Sequence, residues 1–529
     1  MRSPEPGKLG AAFILAALCA MQLAGQTGQG QEKASFEGTV TNSVTGAPVP
    51  RAHLLLSGSV DGRRGMHSAI TGADGGFSIS GVTPGKYHLS LERAGFAMTR
   101  NVSPDLSFDA GESKHLELQL APTGAVTGRV TDENGEALEN ARVSAEGSGA
   151  GGGAVTDQNG MFRVGGLAPG RYRISASTSS VNDGPPEIRT DGTAEVHYAT
   201  TYYPGFLSKK QAGYVTVRAG AETSGADIPL ASVPWVRVSG KVIGAPADGA
   251  RRFLSVAESH PGFWSGWGVP LRRDGSFEFW RLDPGKYTLR AEWNAPDGSE
   301  VHTAVVDIEV AGANVDNIAL RVVPDSDIPG RIEYENDAAR QVASAGDSPL
   351  EINLLHAAGP GESDVDSASV DKTGAFQLRK VPAARYRIAV SPGAVYVKSV
   401  RLGSTQSDGP NLDLSNGSRG AELEIVLSAS AGSISGTVHD DQGSPVEAQI
   451  AVRRSGMDED SEFRLAKSKT DGTYTVDHLP PGDYTVVAIS KADFTFDSLA
   501  GYDDQAEEFS IHSDENVAKD LKLVTPAAP

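Results

Sequence analysis

Along most of the chain, apolar and polar residues alternate in short stretches with a period of two, as in Tyr87, Leu89, Leu91, in Leu116, Leu118, Leu120 and in Tyr386, Ile388, Val390. Such alternation, rich in aliphatic and aromatic residues, predicts strands with one face buried. Between the stretches lie Asp-Gly, Asn-Gly and Pro-Gly pairs, whose backbone preferences suit tight turns. Long runs with helical periodicity are missing, so the pattern predicts an all-β chain.

The strands recur as a repeat. A glycine stands two positions before an aromatic at Gly75 and Phe77, Gly160 and Phe162, Gly275 and Phe277, Gly374 and Phe376, and Gly472 and Tyr474. Ten residues after each aromatic comes a tyrosine, namely Tyr87, Tyr172, Tyr287, Tyr386 and Tyr484. Five residues after each aromatic lies an aliphatic, Val82, Leu167, Leu282, Val381 or Leu479, followed by Pro-Gly or, once, Pro382-Ala383. The spacing predicts that the aromatic and the tyrosine sit on neighbouring strands of a hairpin, with the tyrosine in the core. Each repeat opens with a Gly-x-aliphatic strand: Gly38-Thr39-Val40, Gly128-Arg129-Val130, Gly240-Lys241-Val242, Gly330-Arg331-Ile332 and Gly436-Thr437-Val438. In three repeats a turn and second strand follow, at Gly46-Ala47-Pro48-Val49, Gly135-Glu136-Ala137-Leu138 and Gly443-Ser444-Pro445-Val446. The third and fourth repeats lack this continuation.

Units of this length, built of short strands and turns, predict antiparallel Greek-key β-sandwiches. The expected boundaries are 33–122, 123–232, 233–323, 324–428 and 429–525, after a signal peptide at 1–25. The sequence Gly-x-Val, Gly-x-Pro-Val-x-x-Ala, Asp-Gly-x-Phe, Leu-x-Pro-Gly and Tyr resembles the carboxypeptidase regulatory-like domain, most closely in repeats one, two and five. The resemblance implies a transthyretin-like (prealbumin-like) sandwich, related to collagen-adhesin B-type repeats and grouped with carbohydrate-binding-like folds. Some B-type repeats carry a Lys to Asn isopeptide link that needs a lysine in the first strand. Here only Lys241 stands there, so none is expected.

Arg2 and Lys8, an apolar run from Leu9 to Leu18 and small residues at Ala24 and Gly25 read as a secretory signal, too short for a comfortable membrane span. The expected destination is the periplasm, the cell surface or the medium. The single cysteine, Cys19, follows the bulky Leu18, which argues against acylation. Cleavage after Ala24 would leave no cysteine, so each module would have to stand on its own apolar core. Lys and Arg number 47 against 67 Asp and Glu, a net charge of −20. That balance argues against nucleic acid and anionic membrane surfaces as partners, because both require clustered positive charge.

The resemblance invites a peptidase reading, which the residues do not support. His512-Ser513-Asp514-Glu515 is the one His-x-x-Glu, and it lies near the C-terminus with no room for a catalytic domain beside it. No Gly-x-Ser-x-Gly elbow occurs, and Gly85-Lys86 and Gly285-Lys286 lead into tyrosine rather than Ser or Thr. The acidic turns Asp132-Glu133-Asn134-Gly135 and Asp440-Asp441-Gln442-Gly443 offer too few oxygens for calcium and read as solvated turns. The expectation is a non-enzymatic protein without metal or cofactor.

All five tryptophans, Trp235, Trp264, Trp267, Trp280 and Trp293, fall in the third repeat, and Phe263 lies beside two of them in a Gly-rich loop. Exposed rings there could stack on sugar, which makes Phe263, Trp264, Trp267 and Trp293 candidate ligand-binding residues, with Tyr202 and Tyr203 as a second group. The plainer alternative is that these rings cover the core or a junction, or pack an edge strand. The expected function is an exported binding or spacer array whose ligand is a glycan or cell-surface polymer. Rival readings are a protein adhesion array with an envelope protein partner, and an accessory subunit of an exported peptidase or outer-membrane transporter.

Overall fold

The computed structural model describes residues 32–524 apart from 61–62, 99–104, 148–150, 179–195, 245–252, 259–266, 281, 295–300, 346–348, 357–363, 392, 456–462, 491–501 and 503–504. The chain divides into two compact units, Met1–Pro122 and Thr123–Pro529. The architecture is all-β in both.

In the first repeat two four-stranded sheets face each other. One runs Gly76–Val82, Ala34–Asn42, Ser113–Pro122, Phe96–Met98; the other runs Arg63–Ile70, His53–Val60, Gly85–Glu92, Asp105–Phe108. Between them lies a core that includes Phe36, Leu54, Leu56, Phe77, Leu89 and Leu118, all buried. Phe36 meets Phe77 and Phe108 edge-on, with ring centroids 4.9 and 5.7 Å apart. Burial alternates along Ala34–Asn42 and Gly85–Glu92 as the period-two pattern requires.

The hairpin reading is corrected. The Phe77 strand pairs with the opening strand Ala34–Asn42, whereas the Tyr87 strand pairs with His53–Val60 in the opposite sheet. The same division holds in the other four repeats. Its cause is a bulge followed by the Pro-Gly turn. Opposite the bulge the register slips, so that Ala34 faces Val82 while Ser35 faces Ser80. The skipped residue Gly81 has a positive φ of 76°. A bulge re-aims the following side chain. Val82 therefore turns inward although it lies an odd number of positions after Phe77, and the turn carries the chain across the core. The equivalent positions Gly166, Lys380 and His478 also have positive φ.

A further feature lay outside the expectation of purely antiparallel sheets. In every repeat the opening strand also pairs in parallel with a strand near the repeat's end, as Ala34–Asn42 does with Ser113–Pro122 and Ser326–Tyr334 with Leu423–Ser428. In the fifth repeat, Leu521–Val524 pairs with both Gly432–His439 and Gly482–Ser490 and so joins the two sheets. Second strands are present in the third and fourth repeats too, at Phe253–Glu258 and Glu351–His356. In the fourth, the helix Asp337–Ala343 precedes it, capped by the side chain of Asn336, which accepts from the Ala339 N–H at 2.9 Å.

Candidate functional site

The residues that recur are occupied in holding backbone. All five repeat tyrosines are buried, at 4% exposure or less. Each phenol donates to the carbonyl four residues earlier: Tyr87 to Thr83, Tyr172 to Ala168, Tyr287 to Asp283, Tyr386 to Pro382 and Tyr484 to Pro480, at 2.6 to 2.9 Å. The bond ties the crossing turn to the strand that follows it. Burial pushes the Tyr484 phenol up to about 12 and raises Tyr386 as well.

The turn carboxylates do similar work. Asp132 accepts from the N–H groups of Asn134 and Glu136 at 2.9 and 2.8 Å, and Asp440 from those of Gln442 and Ser444. Although burial acts to raise Asp132, these backbone donors hold it below the usual carboxylate range. Asp371 and Asp471 are lowered chiefly by the hydroxyls of Thr373 and Thr473. These carboxylates close their own turns. His512 and Glu515 face each other at 2.7 Å across an exposed turn. Among the described residues, no group of three or more His, Cys, Asp or Glu side chains is arranged to hold a metal ion.

The sequence reading missed a hydroxyl clamp. Thr71 accepts from the Ala52 N–H and donates to the Val49 carbonyl, at 2.8 and 2.6 Å. Thr156 does the same with Ala141 and Leu138, and Ser468 with Ala448 and Val446. Each hydroxyl stands six residues before its repeat's aromatic; repeats three and four carry Leu271 and Val370 there. That fixed offset was the available signal.

Of the aromatic candidates, Phe263 and Trp264 lie outside the described residues. Trp267 begins the strand Trp267–Pro270 and Trp293 lies in Gly285–Asn294; these flank Phe253–Glu258 in one sheet, and the side chains of both are outside the description. Trp280 is half-buried beneath Arg237, whose guanidinium lies 5.9 Å from the ring centroid and pairs with Asp316. Trp235 is half-buried and meets His197 edge-on at 5.8 Å. Tyr203 is half-buried against the second repeat's core, and its N–H donates to the Ile174 carbonyl at 2.8 Å. Tyr202, also half-buried, faces Ser175 across the strand pair.

His197 marks the junction of the second and third repeats. Its Nε2 is 3.0 Å from one oxygen of Asp283, and the other oxygen accepts from the Thr200 N–H at 2.9 Å. At the next junction Arg385 pairs with Asp307 and, at 3.5 Å, with Asp413.

Three stretches match the family model described as a carboxypeptidase regulatory-like domain, residues 35–121, 125–201 and 433–524. In those three stretches the chain is similar to carboxypeptidase regulatory-like domains. The three regulatory-like stretches are the repeats with the Thr71, Thr156 and Ser468 clamp. No curated protein matches the chain. Among solved structures it is similar to GBS52, the minor pilin of Streptococcus agalactiae, at 15% identity over 41% of this chain and 100% of that one, with a TM-score of 0.24. It is also similar to BcpA, the major pilin subunit of Bacillus cereus, at 10% identity over 76% of this chain and 99% of that one, with a TM-score of 0.15. Two B repeat units of the collagen binding protein of Staphylococcus aureus align at 11% identity over 70% of this chain and 94% of theirs, with a TM-score of 0.15.

Proposed function

We propose that this chain is an exported, non-enzymatic array of five β-sandwich modules that binds or spaces at the cell surface, with a glycan or cell-wall polymer as its ligand class. The observation that carries this reading is the use of the recurring polar groups. Phenols, turn carboxylates and clamp hydroxyls each close a backbone bond, so the repeat specifies a scaffold, and recognition falls to what differs between repeats. The clustering of Phe263, Trp264, Trp267 and Trp293 in one repeat supports a sugar ligand, and the N-terminal apolar segment supports export. No described helix is long and apolar enough to cross a membrane.

Retardation of the purified chain in gels cast with cell-wall polysaccharide tests the reading. Expected is a mobility loss that Trp264→Ala with Trp267→Ala relieves. Unchanged retardation in the double variant would show that these rings are not the site, and no retardation by any polymer would remove the ligand class.

A protein partner is the second reading. The edge strand Arg63–Ile70 of the first repeat turns Met66 and Ile70 outward, at 57% and 58% exposure. An edge with apolar outward residues can accept a partner's strand. A proline at Ser68 would then abolish capture of the partner and leave polymer retardation intact.

A further inference from the structure

The groups that all repeats share hold backbone, so recognition falls to what a single repeat adds. The fourth repeat adds a hairpin strand. Its first sheet runs Ala375–Val381, Ser326–Tyr334, Leu423–Ser428, Tyr396–Leu402, Thr405–Asp408, whereas the corresponding sheet of the first repeat ends one strand earlier, at Phe96–Met98. Two residues, Gly403 and Ser404, join the hairpin, and Gly403 has a positive φ of 58°, as the first position of such a tight turn requires.

Between this hairpin and Asn411–Asp413, the edge strand of the opposite sheet, lies a hollow of about 720 Å³, within the size range of small-ligand sites. The loop that follows, Asp413 to Ala421, supplies the rest of the lining. That loop is fastened by its own bonds. Leu414 donates its N–H to the Ala384 carbonyl, Gly417 to Leu414 and Ala421 to Ser418, at 2.8 to 2.9 Å. Asp413 accepts from the Ser415 N–H at 2.8 Å and pairs with Arg385, whose second partner is Asp307. Val400 and Leu412, both buried, and the half-buried Leu402 form the apolar part of the lining.

Four lining side chains take no part in this fastening. Ser404, Thr405, Asn411 and Asn416 are exposed, and none of their side chains makes a hydrogen bond to another described residue. A hydroxyl donates and accepts, and an amide carries both kinds of site on one group. Sugar hydroxyls also do both, and the C–H edges of a sugar ring suit Val400 and Leu402. A carboxylate only accepts, and a polymer of carboxylates is repelled by a chain of net charge −20. A polypeptide would pair with a sheet edge, but the edges here are four and three residues long, too short to hold an added strand well.

We propose that this hollow binds an uncharged sugar chain through Ser404, Thr405, Asn411 and Asn416. The proposal rests on the polymer-binding reading above and gives it a second site, in a different repeat from the tryptophans.

Calorimetric titration with cellohexaose, xylohexaose and chitohexaose tests it, beside hexagalacturonic acid and a glycine–serine peptide. The full chain is titrated both as it stands and with Trp264→Ala and Trp267→Ala, which removes the tryptophan site. Expected in both is binding of at least one neutral hexamer, insensitive to added salt, and none of the acidic hexamer. Adding Asn411→Ala and Asn416→Ala to the tryptophan variant should cut affinity roughly tenfold or more, because each removes a group that bonds the ligand. Thr405→Trp, which keeps both amides and fills the hollow, should lower it as well; all three positions are exposed, and an unchanged thermal midpoint checks that the variants fold. Neutral sugar bound by the parent but not by the tryptophan variant would overturn this proposal and leave the earlier reading standing. No neutral hexamer bound by either chain, binding of the acidic hexamer alone, or full affinity in the Asn411 and Asn416 or the Thr405 variants would also overturn it. Tighter binding of the peptide would overturn it and assign the hollow to a polypeptide.

Discussion

The Tyr484 phenol donates to the Pro480 carbonyl at 2.6 Å, across the turn by which the chain leaves one sheet of the fifth repeat and enters the other. The ring also stacks on Phe509, with centroids 5.6 Å apart. One side chain thus fills the core and fastens the crossing. Tyr484→Phe removes only the fastening and should cost about 1 to 2 kcal/mol. Tyr484→Ala also opens a cavity and should cost about 3 to 5 kcal/mol. Hydrogen exchange of the Ala448–Arg454 amides in the full chain reads both; equal exchange in the two variants would mean that the ring is not core.

Glu424 carries a pH dependence. Hydrogen bonds from Arg401 and then Arg331 hold its carboxyl down to about 2. An unfolded glutamate titrates near about 4.3. Its contribution is complete above that value and is lost as pH falls toward about 2, because the unfolded chain takes up the proton first. Urea midpoints of the fourth repeat should fall over this window, and Glu424→Gln should flatten that limb. A variant with the same acid slope as the parent would show that the two arginines do not set it.

In the opening strand, a Cβ at Gly38 would sit 1.8 Å from the Leu116 carbonyl oxygen of the parallel neighbour. Gly38→Ala must therefore push the two strands apart and should cost at least about 3 kcal/mol. Gly393, whose Cβ would meet nothing within 4 Å, supplies the control, and Gly393→Ala should change stability by no more than about 0.5 kcal/mol. Thermal unfolding followed by near-ultraviolet dichroism distinguishes them.

The junction of the second and third repeats should open when Asp283 is removed. Asp283→Ala breaks the contact with the His197 ring, which is 6% exposed, and leaves the Thr200 N–H without its acceptor. The expected local loss is about 1.5 to 3 kcal/mol, seen as faster exchange of the Thr200 amide. Unaltered exchange would mean that the junction is held elsewhere.

Much of this was legible beforehand. Period two placed Leu89, Leu91, Ile388 and the five tyrosines on buried faces, because burial alternates wherever a strand covers a core. Sheet membership was misread because Pro84-Gly85 looks like a hairpin turn by composition. The contrary signal was present: Phe77 and Val82 are both buried yet an odd number of positions apart, which a straight strand cannot achieve. Lys380 and His478 concealed the bulge further, since neither residue type announces a positive φ. The hydroxyl clamp was hidden in ordinary Thr and Ser.

Local sterics and the cost of exposing apolar surface act over a few residues, so the amino-acid order alone determined the strands, the repeat length, the turn chemistry and the inward-facing rings. Partnership across long stretches of chain obeys no such local rule. Only the tertiary structure decided that each opening strand lies parallel to one near its repeat's end and that the ring and the phenol reach the core from opposite sheets. Those meetings depend on the path of the backbone through space, which a short window of residues does not encode.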